Sequence, residues 1–327
     1  MKIIFAGTSE FSRESIEALY NAKHEILAVV TKADKPKGRG MKTIATPVKE
    51  YALQKNIKVY EPETIKDNVE FITEIRDLNP ELIVVVSYGK ILPKEMLEIP
   101  KKGCVNLHVS SLPKYRGSAP VQWAIMNGDS ETGVTTMYMD EGLDTGDIIL
   151  TRKVKIYEDE TSGELLGRMQ TVGAEILVET VDLIGKGKAP REKQGKDFTI
   201  APMIEKEMAK IDWEEKSAKE IKNLVRGLNP FLGAYSVLGE KKYKFWKVKV
   251  VESEELCQII PGLREYVYRL KAVEPGTIIY VDDRKGLYIK AKDEAISVLE
   301  IQGENAKRMD IGDFLRGSKL QAMQKFS

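Results

Sequence analysis

Apolar residues over the first 140 positions fall in short, β-branched runs separated by amphipathic stretches, a pattern that predicts strands covered on both faces with helices between them. Residues 2–6 read as a strand, Gly7-Thr8-Ser9 as a turn, and 10–20 as a helix with Phe11, Ile16 and Leu19 on one side. Residues 26–31 repeat the strand pattern. Thr46-Pro47 then supplies an N-cap and a proline at the first helical position for a helix over 48–55. Strands follow at 82–87, 104–109 and 134–139, with a helix at 120–126 between the last two. The alternation predicts an α/β, Rossmann-like doubly wound sheet.

Beyond it, Thr161-Ser-Gly-Glu164 has the spacing of a capping box for a long helix reaching Leu183. The glycine, proline and charge of 185–196 break that pattern, so 185–209 is read as a linker between a catalytic domain over 1–184 and a smaller domain over 210–327. In the second domain, Ser217-Ala-Lys-Glu220 caps a short helix that ends before Asn229-Pro230. Strands at 234–237, 243–251, 277–281, 287–290 and 295–301, joined by turns, suggest a small β-barrel. Residues 252–271 read as an insertion between strands.

Composition narrows the function classes. With 51 basic against 50 acidic side chains among 327 residues, overall charge does not mark a nucleic-acid binder, so any such role rests on local patches. Two candidates stand out: Lys35, Lys37, Arg39 and Lys42 on one glycine-containing loop, and Lys241, Lys242, Lys244 and Lys247 on a strand pair. The linker adds Lys186, Lys188, Arg191, Lys193 and Lys196. Cys104 and Cys257 stand far apart and outside any CxxC pattern, which argues against a disulfide framework or a structural zinc site and fits a cytoplasmic protein. The apolar start at 1–7 is too short for a signal peptide, and no run approaches a membrane span. Gly7-Thr8-Ser9 lacks both GxGxxG and the Walker lysine, which argues against NAD or ATP.

The sharpest chemistry lies at 104–109. Along an extended strand, Asn106 and His108 point the same way while Val105, Leu107 and Val109 pack behind. An amide that meets developing negative charge, beside an imidazole that moves protons, suits acyl-group chemistry. Asp144, between Gly142 and Gly146 on a tight loop, is the candidate third member. A metal pair of Cys104 and His108 lacks further ligands, since His24, the only other histidine, sits in a polar turn. No metal is therefore expected.

Asn106-Leu-His108, Ser110-Ser-Leu-Pro113, Arg116-Gly-Ser-Ala-Pro120 and Gly142-Leu-Asp-Thr-Gly-Asp147 together resemble the signature of the folate-dependent formyltransferases. Further agreement at Val85–Pro93, Ile211-Asp-Trp213 and 307–316 spreads the resemblance over nearly the whole chain. One departure is Ser111, where the family usually carries the first of two leucines. The resemblance implies an OB-like second domain and 10-formyltetrahydrofolate as formyl donor. It also implies catalytic roles for Asn106, His108 and Asp144, and a folate site formed by Tyr88, Gly89, Ile91, Leu92, Ser110, Ser111, Leu112 and Pro113. The implied acceptor is the α-amino group of methionine on initiator tRNA, contacted through Lys35, Lys37, Arg39 and Lys42, with the enzyme acting as a cytoplasmic monomer. The alternatives are a formyltransferase acting on an amino sugar, a 10-formyltetrahydrofolate hydrolase, or, in another class, a noncatalytic RNA-binding module.

Overall fold

The computed structural model describes residues 1–37, 42–260 and 273–327. It divides into two compact units. The first comprises 1–120, 131–155 and 166–202, and the second 121–130, 156–165 and 203–327. Arg39 and residues 261–271 of the expected insertion lie outside the described residues.

The first unit opens with strand β1 (Lys2–Gly7), helix α1 (Glu10–Asn21) and strand β2 (Glu25–Val30). The basic loop forms a short antiparallel ladder, β3 (Lys35–Lys37) with β4 (Lys42–Ile44). Thr46 caps helix α2 (Pro47–Gln54) as its spacing predicts, its hydroxyl accepting from the Lys49 amide at 3.2 Å. Strand β5 (Lys58–Tyr60), helix α3 (Val69–Asp77), strand β6 (Leu82–Val86) and helix α4 (Lys94–Leu97) follow. Next come strand β7 (Cys104–His108), helix α5 (Pro120–Met126), strands β8 (Glu131–Tyr138) and β9 (Ile148–Lys155), and helix α6 (Ser162–Gly185).

Seven of these strands form one sheet in the order β5-β2-β1-β6-β7-β8-β9. Pairing is parallel from β5 to β7 and antiparallel across β8 and β9. The chain runs outward from β1 to β2 and β5, then returns to β6 on the other side, so the switch point lies between β1 and β6. In open α/β sheets the ligand crevice lies beyond the carboxyl ends of the strands near such a point. The carboxyl ends there are Gly7, Val86 and His108.

Both faces of this sheet are covered, which explains why its central strands are apolar without alternation. On one face Ile4, Ala6, Val30 and Ile83 pack with Phe71 and Ile75 of α3. On the other, α6 approaches so closely at Gly173 that a Cβ there would stand 2.7 Å from Phe11 and 3.2 Å from Leu107. A glycine is needed at that crossing.

The second unit is a separate antiparallel sheet. Helix α7 (Ala218–Gly227) begins at the predicted capping box, with Ser217 and Glu220 bonded reciprocally. Strands β10 (Ala234–Leu238) and β11 (Lys241–Val251) are followed by helix α8 (Ser253–Ile259). Strands β12 (Ile278–Asp282), β13 (Gly286–Lys290), β14 (Ala295–Gly303) and β15 (Met309–Asp310) and helix α9 (Ile311–Arg316) complete it. The strand order is β10-β11-β14-β13-β12, with β15 added on β14. Its core is built on Trp213, Phe245 and Phe326, whose rings meet at centroid distances of 5.6–6.3 Å. Along β11, Phe245 and Val248 are buried while Lys242, Lys247 and Lys249 are exposed and alternate away from them, so these lysines decorate the outer face of this sheet, and the exposed Lys241 stands at the start of the strand. No helix among the described residues is long and apolar enough to cross a membrane.

Candidate active site

At the carboxyl end of β7 the structure brings together the three residues that the sequence pairs only across 38 positions. Asn106 Nδ2 donates to Asp144 Oδ1 at 3.3 Å, and His108 Nδ1 stands 3.7 Å from Asp144 Oδ2. The imidazole and carboxylate are 7% and 12% exposed, so charge on either is poorly screened. Asp144 sits at φ +52°, in the left-handed region that short polar side chains tolerate best, and this turns its carboxylate toward β7. The loop leaves no slack: a Cβ on Gly146 would lie 1.7 Å from the Tyr138 carbonyl oxygen.

Two backbone groups on either side of Arg116 fix the pair. His108 Nε2 lies 2.9 Å from the Tyr115 carbonyl, and the Gly117 amide donates to Asp144 Oδ2 at 2.8 Å. A carbonyl only accepts, so its position assigns the proton to Nε2. Nδ1, facing Asp144, is therefore the ring nitrogen that takes up or gives up a proton.

The segment read as a linker reaches this site. Glu192 forms an antiparallel bridge with Ile148, Ile200 pairs with Arg116, and the Tyr115 amide donates to Thr199 Oγ1 at 2.8 Å. Gln194 donates through Nε2 to the carbonyls of Asp144 and Gly146, both at 2.8 Å, and its Oε1 accepts from Arg116 Nε and Nη2 at 3.0 and 2.7 Å. Sequence reasoning missed Gln194. A glutamine in a polar, glycine-rich stretch carries no local signal, whereas Arg116 and Gly117 at least lie within a recognisable motif.

The folate candidates divide. Ser110 is fully buried and its hydroxyl closes its own loop on the Lys114 carbonyl at 2.6 Å. Leu112 is buried and its amide donates to Thr135 Oγ1 at 3.3 Å. Ser111 abuts Gly133, where a Cβ would meet its hydroxyl at 2.2 Å, and Pro113 is half-buried. Tyr88 and Leu92 pack into the core with Met96, so the surface they offer is backbone, and burial pushes the Tyr88 phenol up to about 12. Gly89 holds φ +71° with Lys32 close against it, and Ile91 projects into solvent at 86% exposure. Cys104 shares the face of Asn106 and His108, but burial pushes its thiol up to about 12 and it donates to the Leu97 carbonyl. Lys35, Lys37 and Lys42 fall on the β3 and β4 backbone.

An amide, an imidazole and a carboxylate converge at the carboxyl edge of a Rossmann-like sheet, an arrangement whose chemistry suits acyl-group transfer. The formyl transferase family model matches residues 1–181 and the formyl transferase C-terminal domain model matches 203–319, so the chain belongs to the formyl transferase family. It is similar to the methionyl-tRNA formyltransferase of Clostridioides difficile (strain 630), at 47% identity over 98% of each chain. Its identity to the methionyl-tRNA formyltransferase of Caldanaerobacter subterraneus subsp. tengcongensis is 45%, again over 98% of both. Among solved structures, HypX from Aquifex aeolicus in complex with tetrahydrofolic acid superposes with a TM-score of 0.63 at 18% identity, covering 99% of this chain and 50% of that one. The Helicobacter canadensis N-formyltransferase, solved with folinic acid and dTDP-3-aminofucose, gives 0.62 at 20% identity, over 91% and 99%.

Proposed function

We propose that this chain transfers the formyl group of 10-formyltetrahydrofolate to the α-amino group of methionine on initiator methionyl-tRNA, giving N-formylmethionyl-tRNA for translation initiation. The observation that carries this reading is identity of 42–47% with methionyl-tRNA formyltransferases through both units, over at least 98% of this chain. The sugar N-formyltransferase shares the fold at 20% identity, so an amino-sugar acceptor is not favoured.

In this reading the neutral amine attacks the formyl carbon, a C–N bond forms and the carbonyl oxygen becomes an oxyanion. The Asn106 amide has a second N–H beyond the one given to Asp144, and it donates to that oxygen. The amine proton passes to the His108 Nδ1–Asp144 pair. Collapse breaks the carbon bond to the folate nitrogen, which takes a proton as it leaves. The half-buried Ser111 and Pro113 of the Ser110–Pro113 loop and the backbone at Tyr88, Gly89, Ile91 and Leu92 form the pterin wall. Backbone donors and acceptors suit the pterin's alternating pattern.

In the division 1–184, 185–209 and 210–327, the first part carries the chemistry, the second connects the domains while bracing the Asp144 loop through Gln194, and the third contacts the tRNA backbone. Lys35, Lys37, Arg39 and Lys42 contact the acceptor end of the tRNA. The enzyme works as a cytoplasmic monomer. Labelled formyl donor, supplied with initiator methionyl-tRNA, uncharged tRNA and a nucleotide-linked amino sugar in parallel, tests the assignment. Label is expected on methionyl-tRNA alone, and label on the sugar alone overturns it.

A further inference from the structure

We infer that Gln194 is a positioning residue for formyl transfer, fastening the loop that presents Asp144 to His108. The inference rests on the role proposed above for Asp144. Three observations converge on Gln194. Within 191–200 it is the one residue that is not exposed, so this stretch contributes little apolar burial and Gln194 is its most enclosed side chain. That side chain satisfies both of its functional ends at once, donating to the carbonyls of Asp144 and Gly146 and accepting two bonds from the Arg116 guanidinium. Arg116, buried at 8% exposure and stacked on Phe198 at 4.6 Å, lies between the Tyr115 carbonyl that holds His108 and the Gly117 amide that holds Asp144.

The amide therefore ties the Asp144 loop to the peptide run that aims its partner. The surrounding backbone is bonded to the same run: Arg116 donates to the Thr199 carbonyl at 2.9 Å, Ala201 to the Arg116 carbonyl at 2.7 Å, and Ala119 to the Ala201 carbonyl at 3.1 Å. At Gly117, with φ +124°, a Cβ would stand 2.6 Å from the Ala201 carbonyl oxygen, so the two segments are in close contact. Asp144 occupies a backbone region that non-glycine residues hold only when their surroundings fix it. Gln194 provides that fixation from 50 residues away in sequence.

Gln194→Glu separates the two ends of the side chain. A carboxylate still accepts from Arg116 but offers no N–H to the two carbonyls and sets an oxygen against them. Formyl transfer to methionyl-tRNA is measured for the wild type, Gln194→Glu, Asp144→Asn and the double variant, with tetrahydrofolate affinity and thermal melting in parallel. Gln194→Glu is expected to lower kcat by about tenfold to a hundredfold, the scale set by an ångström of misplacement, with donor affinity within about twofold of wild type. Because Gln194 acts through Asp144, it is expected to add less than about twofold to the loss already caused by Asp144→Asn. A purely structural role predicts instead a loss that follows the melting temperature and multiplies in the double variant, and that result overturns the inference. Wild-type kcat in Gln194→Glu, with Asp144→Asn crippled, overturns the inference and leaves the reading of Asp144 standing. Wild-type kcat in Asp144→Asn overturns that reading first.

Discussion

His108 Nδ1 and Asp144 Oδ2 stand 3.7 Å apart, within ion-pair reach but beyond hydrogen-bond length, while the other ring nitrogen is held on a backbone carbonyl at 2.9 Å. The ring is thus fixed at one nitrogen and able to exchange a proton at the other. Catalytic hydrogen bonds commonly shorten when substrates bind, and this gap leaves room for that. His108→Asn keeps polarity and removes the exchangeable nitrogen. It is expected to lower kcat by about 10²–10⁴-fold with tetrahydrofolate affinity retained. Steady-state kinetics beside a binding titration checks this, and near-normal kcat removes the imidazole from the proton path.

Gly146→Ala tests the tightness of the Asp144 loop. With the Tyr138 carbonyl oxygen 1.7 Å from where the new methyl would sit, the loop must move as a whole. A loss of about 1–3 kcal/mol in stability, the usual cost of overpacking, is expected together with a larger proportional loss of kcat. Thermal melting and turnover on the same preparation measure both, and wild-type values in each contradict the geometry.

The site was legible in the sequence where its signals are local. Asn106 and His108 follow from the period of one strand, and the capping residues Thr46, Thr161 and Ser217 each satisfy a helix amide three residues on. Asp144 is present as a residue type in a tight loop, but its left-handed backbone is a property of the fold. The helix α3 and the edge strand β9 escaped the reading; the exposed Thr151, Lys153 and Lys155 of β9 pack against little and leave a weak apolar signal. Gln194 was illegible for a deeper reason. Its partners Arg116, Asp144 and Gly146 are 78, 50 and 48 residues away, and no spacing rule spans such separations.

The Ser217–Glu220 capping box carries a pH dependence. The Glu220 carboxylate is held below its ordinary value of 4.5 by the Ser217 hydroxyl and then by the Ser217 amide. Because the folded value is the lower one, the stabilisation is complete above 4.5 and is lost as pH falls through the depressed value. Glu220→Gln should therefore melt earlier than wild type at pH 7, with the difference shrinking as pH is taken down to about 3. Ser217→Ala should cost about 1 kcal/mol at neutral pH. A difference between Glu220→Gln and wild type that grows on acidification contradicts the assignment.

Basic residues of the 35–42 loop are expected to act on affinity for tRNA rather than on chemistry. Replacing Arg39 by alanine should raise KM for methionyl-tRNA and reduce the slope of log affinity against log salt by about one, as loss of one phosphate contact does. Binding titrations at several salt concentrations read the slope. An unchanged slope excludes a phosphate contact at Arg39.

The most direct test of the account is formyl transfer to initiator methionyl-tRNA by Asp144→Asn, with tetrahydrofolate binding measured on the same sample. The geometry predicts a kcat lower by about 10²–10⁴-fold with binding of the folate intact. Turnover within about twofold of wild type, at unchanged binding, contradicts a reaction run by Asn106, His108 and Asp144 acting together.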